Sequence, residues 1–528
     1  MTGSSPEQPA LNPRVTRILS GTALVTAFGI LAVFNSGGYR YGASDQAFYV
    51  PAIMRHVNPA LFPRDRVLIS VQDDLLLVTR LLGTIVTATG ATVANVVFGA
   101  YLIMLLAVAG AGWLFGRALL ATRWGAAALV LAMSIRHRVP KTGVNTLEHY
   151  FQPRMIAFAV GSAGLAALVR QRTWLALALA FGAGLVHPTT GLWFSVVVAG
   201  GAVVSFPEQR RILLILGSAA AVVAASVFYW GALAGRLVTM DAEWLQSLAT
   251  KDYLFPNQWS LETWLQHALY LVVIAVSFYA RRRLALAGRG EHALVAGLLA
   301  MLLALGVSLP AVSARIALAV QLQVSRAMWL FDLLAVAYVV WWLVEAPWTR
   351  GRQDDRAVSA GDIRPRANTA TPTGSAARRW AVAVVALCAL VRGSYVMFVE
   401  KAGAPPIRVN LAPDAWRDAM DWLRAQPLGV QVLADPGHAW RYGSSVRIAA
   451  GRDVFLEEVK DAAIGMYSRD VAMRVLTRTR AIDDFTALTP SRARALAREY
   501  DIDYLVTEAR LDLPVAYGNG KFRIYRLR

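Results

Sequence analysis

The sequence predicts an all-α polytopic membrane bundle of about eleven transmembrane helices, several of them short or re-entrant, followed by an extracytoplasmic α/β domain. Three observations predict it. Hydrophobic residues fill 56% of the 528 positions and charged residues only 16%, and the mean hydropathy of +0.45 is far too high for a soluble chain of this length. Apolar runs of bilayer length or near it recur through the first 398 residues. From residue 399 the pattern changes to short alternating runs between amphipathic helical ones.

The first run, Ile18 to Phe34, follows Arg14 and Arg17 and ends in Asn35-Ser36-Gly37-Gly38 with no small-x-small cleavage pattern. It reads as a retained span after a cytoplasmic N-terminus at 1–17. Further runs lie at 93–116, 124–135, 155–169, 174–186, 190–205, 212–234, 264–280, 293–312, 327–344 and 380–398. Those at 124–135, 174–186 and 190–205 are shorter than the ~20 residues a perpendicular helix needs, so they are expected to be buried among other helices or to cross only in part. An odd count puts the two termini on opposite sides. The N-terminus and the gaps at 117–123, 170–172, 206–211, 281–292 and 345–379 hold 19 arginines and no lysine, while the alternate gaps hold fewer cations over a greater length. This bias puts the N-terminus in the cytoplasm and 399–528 outside the inner (plasma) membrane.

The 345–379 gap, low in complexity, reads as a solvated cytoplasmic linker. In the outer loop 36–92, the run Leu75 to Leu82, interrupted by Arg80, fits a helix lying along the interface. In the tail, Val430 to Asp435 and Asp503 to Thr507 read as strands, and Ala415 to Ala425 and Pro490 to Tyr500 as helices. Tyr517-Gly518-Asn519-Gly520 reads as a hairpin turn in which Asn-Gly supplies the positive φ angles.

The net charge of +19 favours nucleic acid only until the arginines are placed on the chain, where they cluster in short hydrophilic gaps between apolar runs, as in cytoplasmic loops. The single cysteine, Cys388, excludes an internal disulfide and a cysteine metal site. There is no Walker-type phosphate loop, HExxH, paired metal-ligand histidines or nucleophile elbow, so no residue is assigned to a metal.

Chemistry concentrates in the outer gaps. Asp45, within Tyr39 to Pro51, is a carboxylate flanked by aromatics and arginines where the chain leaves the bilayer, which suits a wet pocket. Tyr39, Tyr41, Phe48 and Tyr49 are expected to desolvate it in part and raise its value as a base. The other outer acids are Asp65, Asp73, Asp74, Glu148, Asp241 and Glu243, with Asp74 and Glu148 preferred as a second carboxylate. Arg136, Arg138, Lys141 and Arg154 stand at outer helix ends against the positive-inside bias; binding an anion or a lipid headgroup would account for them. His187-Pro188 breaks the backbone between two short runs, as a structural turn or a cavity contact. The stretch from Arg315 to Arg326, with Gln323, again puts an arginine at an outer helix start, a candidate phosphate contact.

The segments Tyr41-Gly42-Ala43-Ser44-Asp45-Gln46, Phe151-Gln152-Pro153-Arg154, His187-Pro188, Gln323 with Arg326, and the Trp416 to Trp422 helix together resemble the GT-C class of polytopic glycosyltransferases and related bacterial membrane proteins, over most of the chain in layout. The resemblance implies inverting transfer of a sugar from a polyprenyl-phosphate-linked donor to an acceptor hydroxyl at the outer membrane face. Asp45 would be the base, and Tyr41, Gln46, Glu148, His149, Arg154, His187, Arg315, Gln323 and Arg326 the substrate contacts. Many members carry two adjacent acids in this loop, whereas Gln46 follows Asp45 here, which leaves a second acidic role and a divalent metal ion open. Expected partners are the lipid-linked sugar donor, membrane lipids and an acceptor of unspecified kind. Rival readings are a lipid or glycan transporter or flippase using the same arginines without a base, and a non-catalytic envelope-assembly scaffold.

Overall fold

The computed structural model describes residues 13–231, 233–346 and 372–528. The start of the N-terminal segment and most of the expected linker, 347–371, lie outside the described residues. Each of the eleven apolar runs carries a helix: Pro13–Asn35, Val93–Leu119, Arg123–Met133, Pro153–Val169, Thr173–Val186, Pro188–Ser205, Pro207–Tyr229, Leu261–Arg283, Arg289–Ser313, Met328–Val344 and Pro372–Tyr395, the run expected at 212–234 being helical only as far as Tyr229. Among the described residues, seven helical stretches are long and apolar enough to cross a membrane unaided, and the chain is a multi-pass membrane protein. The shorter helices pack closely because glycines leave room at the crossings. A Cβ on Gly191 would lie 2.1 Å from the backbone of Gly184, and one on Gly297 2.0 Å from the Val197 carbonyl.

The connections segregate to two faces of the bundle. At one, the Glu345 carboxylate accepts from the backbone amides of Ala121 (3.0 Å) and Thr122 (2.8 Å), and Arg281 pairs with Glu291 through two bonds of 2.7 and 2.9 Å. At the other lie the 36–92 loop, the hairpin of Arg138–Val139 with Val144–Asn145, the 236–258 segment and the tail. Strand Tyr39–Arg40 pairs in parallel with Ile407–Arg408, tying the first loop to the chain that follows the last span.

The tail carries a five-stranded sheet in the order Asp453–Val454, Gln431–Leu433, Tyr504–Thr507, Arg523–Arg526, Val515–Gly518. The first three are mutually parallel, and the last two add antiparallel, so the expected strands and closing hairpin are present. The turn is made differently from expectation. Neither Asn519 nor Gly520 takes a positive φ; instead Asn519 Oδ1 accepts from the amides of Lys521 (3.0 Å) and Phe522 (2.8 Å), a side-chain turn that does the same work.

The first loop and the tail share an apolar core. Phe62, Leu68 and Ile69 cluster with Leu433, Phe455, Ile464 and Leu496. Helix Leu77–Thr89 rests on helix Gln46–Val57, with Gly83 so close to His56 that a Cβ would lie 2.6 Å away, and it leaves Leu77, Leu81 and Ile85 exposed.

Candidate active site

Six separate segments converge on one cavity of about 170 Å³ at the tail-bearing face. The first loop contributes Asp45, Phe48, Tyr49 and Gln72; the start of helix Pro153–Val169 contributes Gln152 and Arg154. His187 comes from the break between Thr173–Val186 and Pro188–Ser205, Arg326 from the short turn before Met328–Val344, and Lys460 and Tyr467 from the tail. Lys251 and Tyr253 of the 236–258 segment complete the wall. Four residues singled out by sequence, Asp45, Arg154, His187 and Arg326, are therefore brought together across 281 positions of chain.

Local backbone aims Asp45. Ser44 before it takes φ +50°, a conformation costing about 1 kcal/mol or more for a non-glycine residue and held only when the surroundings fix it. Lys460 Nζ donates to Asp45 Oδ1 at 2.8 Å and Gln152 Nε2 to Oδ2 at 2.9 Å. The Asp45 side chain is still 27% exposed, while Lys460 is nearly buried. Burial opposes ionisation of Asp45, but Lys460, Arg154 and Arg326 outweigh it and hold its carboxyl well below the usual carboxylate range. This corrects one expectation: Tyr39 and Tyr41 do not line the cavity, and the carboxylate is governed by its cations, not by an aromatic crowd that would raise its basicity.

Arg154 is buried and pairs with Glu148, itself buried, at 3.3 Å; Asn145 Nδ2 donates to both Glu148 oxygens at 3.1 and 3.2 Å. Arg154 Nε and Gln152 Oε1 are enclosed with no hydrogen-bond partner, polar atoms that proteins rarely leave unmet. Arg326 donates through Nε to the Thr142 carbonyl at 3.1 Å and lies 4.9 Å over the Tyr253 ring; among the described residues it has no carboxylate within 4 Å. Burial pushes the Tyr253 hydroxyl up to about 12 and raises Tyr467 as well, so both remain donors near neutral pH. His187 Nδ1 is spoken for by the Thr190 hydroxyl at 2.9 Å, which leaves its other nitrogen to the cavity side.

The remaining sequence-selected residues have other places. Gln323 is buried behind the wall, where Nε2 donates to Met466 Sδ (3.2 Å) and Tyr467 Oη (3.5 Å), so it positions Tyr467 and is not a substrate contact. Arg315 is exposed at the end of helix Arg289–Ser313, its carbonyl accepting from the Met240 amide at 2.8 Å; the chain leaves it outside the cavity because it belongs to the turn that pairs Thr239 with Ile316. Gln46 is turned inward and accepts from the Gly42 amide at 2.6 Å, closing the first-loop turn. Glu148 serves as the partner of Arg154, while Tyr41 and His149 line a different hollow. Of the other acids, Asp65 is buried in ion pairs, Asp73 is buried against the His56 ring at 2.9 Å and accepts from the Thr79 hydroxyl at 2.6 Å, and Asp74, Asp241 and Glu243 face Arg80, Arg469 and Arg480 at the surface. Lys460, Lys251, Tyr253 and Tyr467 were missed by sequence reasoning. Lys460 sits in Glu458-Val459-Lys460-Asp461, which looks solvated; the available signal was the apolar Ala462-Ala463-Ile464 directly after it.

A divalent cation does not suit this donor set. The two carboxylates, Asp45 and Glu148, are each committed to cations, and among the described residues no group of three or more His, Cys, Asp and Glu side chains is arranged to hold a metal.

No protein-family model and no curated protein matches the chain. Among solved structures it is similar to the oligosaccharyltransferase AglB of Archaeoglobus fulgidus in complex with an inhibitory peptide and a dolichol-phosphate. The TM-score is 0.46 at 12% identity, with 93% of this chain and 70% of that one covered. It is also similar to the A. fulgidus oligosaccharyltransferase tethered to an acceptor peptide, with a TM-score of 0.45 at 15% identity, covering 93% and 69%. What the cavity can do rests on its own residues.

Proposed function

We propose that this chain is a membrane glycosyltransferase that moves a sugar, with inversion, from a polyprenyl-phosphate-linked donor to an acceptor hydroxyl. The observation that carries the proposal is the convergence of Asp45 with Arg154 and Arg326 on one cavity at the tail-bearing face. By the arginine bias, that face is the outer side of the inner membrane.

The polyprenyl chain would lie along the apolar bundle while its phosphate meets Arg154, Arg326 and the hydroxyls of Tyr253 and Tyr467. As the bond from the anomeric carbon to the phosphate oxygen breaks, its electron pair leaves with the phosphate, whose charge the two guanidinium groups stabilise. The acceptor oxygen forms the new bond to that carbon, and its proton passes to Asp45, which exchanges Gln152 or Lys460 for the incoming hydroxyl. One carboxylate and no covalent intermediate are needed for inversion. The low basicity of Asp45 fits a proton transferred late, when the sugar carbon is already cation-like.

The test is Asp45→Asn in a membrane preparation supplied with labelled lipid-linked sugars. Transfer is expected to fall by on the order of 10³-fold with the melting temperature nearly unchanged. Undiminished transfer contradicts the proposal.

A further inference from the structure

A second and larger hollow, about 350 Å³, meets the Asp45 cavity at Lys460, which lines both. Its floor is the short parallel pairing of Tyr39–Arg40 with Ile407–Arg408, which sets Arg40 and Arg408 directly opposite one another. Like charges facing across a strand pair are destabilising, and Lys401 adds a third cation to the same wall. Among the described residues, none of these three has a carboxylate within 4 Å, whereas Lys460 and Arg417, also in the lining, pair with Asp45 and Asp421. Among the described residues the one carboxylate that lines the hollow, Asp414, accepts from the Arg417 amide at 2.9 Å as a helix cap. His149 in this wall adds no further positive charge: burial, with Arg136, Arg40 and Lys401 nearby, presses its pKa down to about 3.

The other wall is aromatic. Trp416 is buried against Tyr442, and Trp440 is 63% exposed, an unusual state for so large an apolar side chain. Guanidinium groups with no carboxylate partner opposite an exposed indole suit a chain of sugars bearing carboxylate or phosphate groups. An apolar sugar face would stack on Trp440, and the anions would meet Arg408 and Lys401, with Arg40 beside them. An alkyl chain would leave the three cations unpaired.

We infer that this hollow binds an anionic saccharide and presents it as the acceptor to Asp45. The inference rests on the transferase reading only for the word acceptor; the binding itself does not. It places Tyr41 and His149 on the acceptor side of the molecule, apart from Arg154 and Arg326.

The experiment uses the full chain in lipid nanodiscs, with tetragalacturonate and neutral maltotetraose as probes and tryptophan fluorescence or calorimetry as the readout. Tetragalacturonate is expected to bind at least about tenfold more tightly than maltotetraose. Arg408→Gln combined with Lys401→Gln, and separately Trp440→Ala, should each weaken it about tenfold at an unchanged melting temperature, and Arg408→Lys should restore part of the loss. Arg326→Gln, in the neighbouring cavity, should leave tetragalacturonate binding as it was. Four results would overturn the inference: no detectable binding, equal binding of the neutral probe, indifference to the Arg408 and Lys401 changes, or displacement by a polyprenyl phosphate that depends on Arg408. Failure of the transferase reading looks different: labelled lipid-linked sugar would then go untransferred, or be transferred undiminished by Asp45→Asn, while tetragalacturonate binding and its dependence on Arg408 and Lys401 stayed as described.

Discussion

Two aspartates of the first loop, Asp45 and Asp65, both reach across to cations of the tail, and they end in opposite conditions. Asp65 is fully buried: Arg447 Nε donates to it at 2.7 Å, Arg474 donates to its other oxygen, and Arg447 is held in turn by two bonds of 2.7 and 2.9 Å to Asp461. The Asp65 amide is also engaged, donating to Asp453 Oδ1 at 2.9 Å. Asp45 keeps part of its surface open to a cavity, beside polar atoms of Arg154 and Gln152 that have no partner. A satisfied charge network fixes two segments together, whereas an incompletely satisfied one is poised for a ligand. The first loop is thus anchored by one carboxylate so that the other can be presented.

That contrast can be broken in graded ways. The largest effect on stability is expected from Asp65→Ala, which removes the carboxylate shared by Arg447 and Arg474, leaves Arg474 without one while Arg447 keeps Asp461, and should cost about 3–5 kcal/mol, seen as a lowered melting temperature and easier proteolysis of the tail. Arg326→Gln should do the reverse, leaving the melting temperature alone while slowing transfer by on the order of 10²-fold, measured with labelled donor. Lys460→Met removes the principal cation holding Asp45 below the usual range, so the acid limb of the transfer rate should move to higher pH, as a pH–rate profile would show.

The smallest effect concerns Glu457, buried beside Arg447, Asp461 and Lys460, whose pKa is raised chiefly by burial. Because the folded state holds this proton more tightly than the unfolded chain, its contribution to stability falls as pH rises from the ordinary glutamate value, about 4.3, through the raised folded value. Asp65 has the opposite sign: its lowered pKa gives stability above the ordinary aspartate value that is lost as pH falls below it. Glu457→Gln should flatten the upper slope in a series of thermal melts and leave the acid one in place.

Much of this architecture was legible in the sequence because a bilayer demands apolar helices, and each of the eleven apolar runs carries one, although among the described residues only seven stretches are long and apolar enough to cross unaided. Asp45, Arg154, His187 and Arg326 could be selected because a charge or a broken helix at the edge of a span is conspicuous. Arg315 met the same criterion and failed, since which way an exposed turn faces is decided by pairing with a distant segment, here 238–240. Lys460 and Tyr467 could not be placed, because their role depends on how the tail docks, and that is set by Phe62, Leu68 and Ile69 packing into the tail's core. The resemblance pointed to Gln46 as a contact by position alone, but its side chain is needed at Gly42.

The most direct test of the Asp45 cavity as the reaction centre is a structure of the full chain in nanodiscs with a bound polyprenyl phosphate. The account predicts phosphate oxygens within hydrogen-bonding distance of both Arg154 and Arg326, with Asp45 facing them across the cavity. Phosphate density elsewhere on the molecule, with those two arginines unchanged, would contradict it.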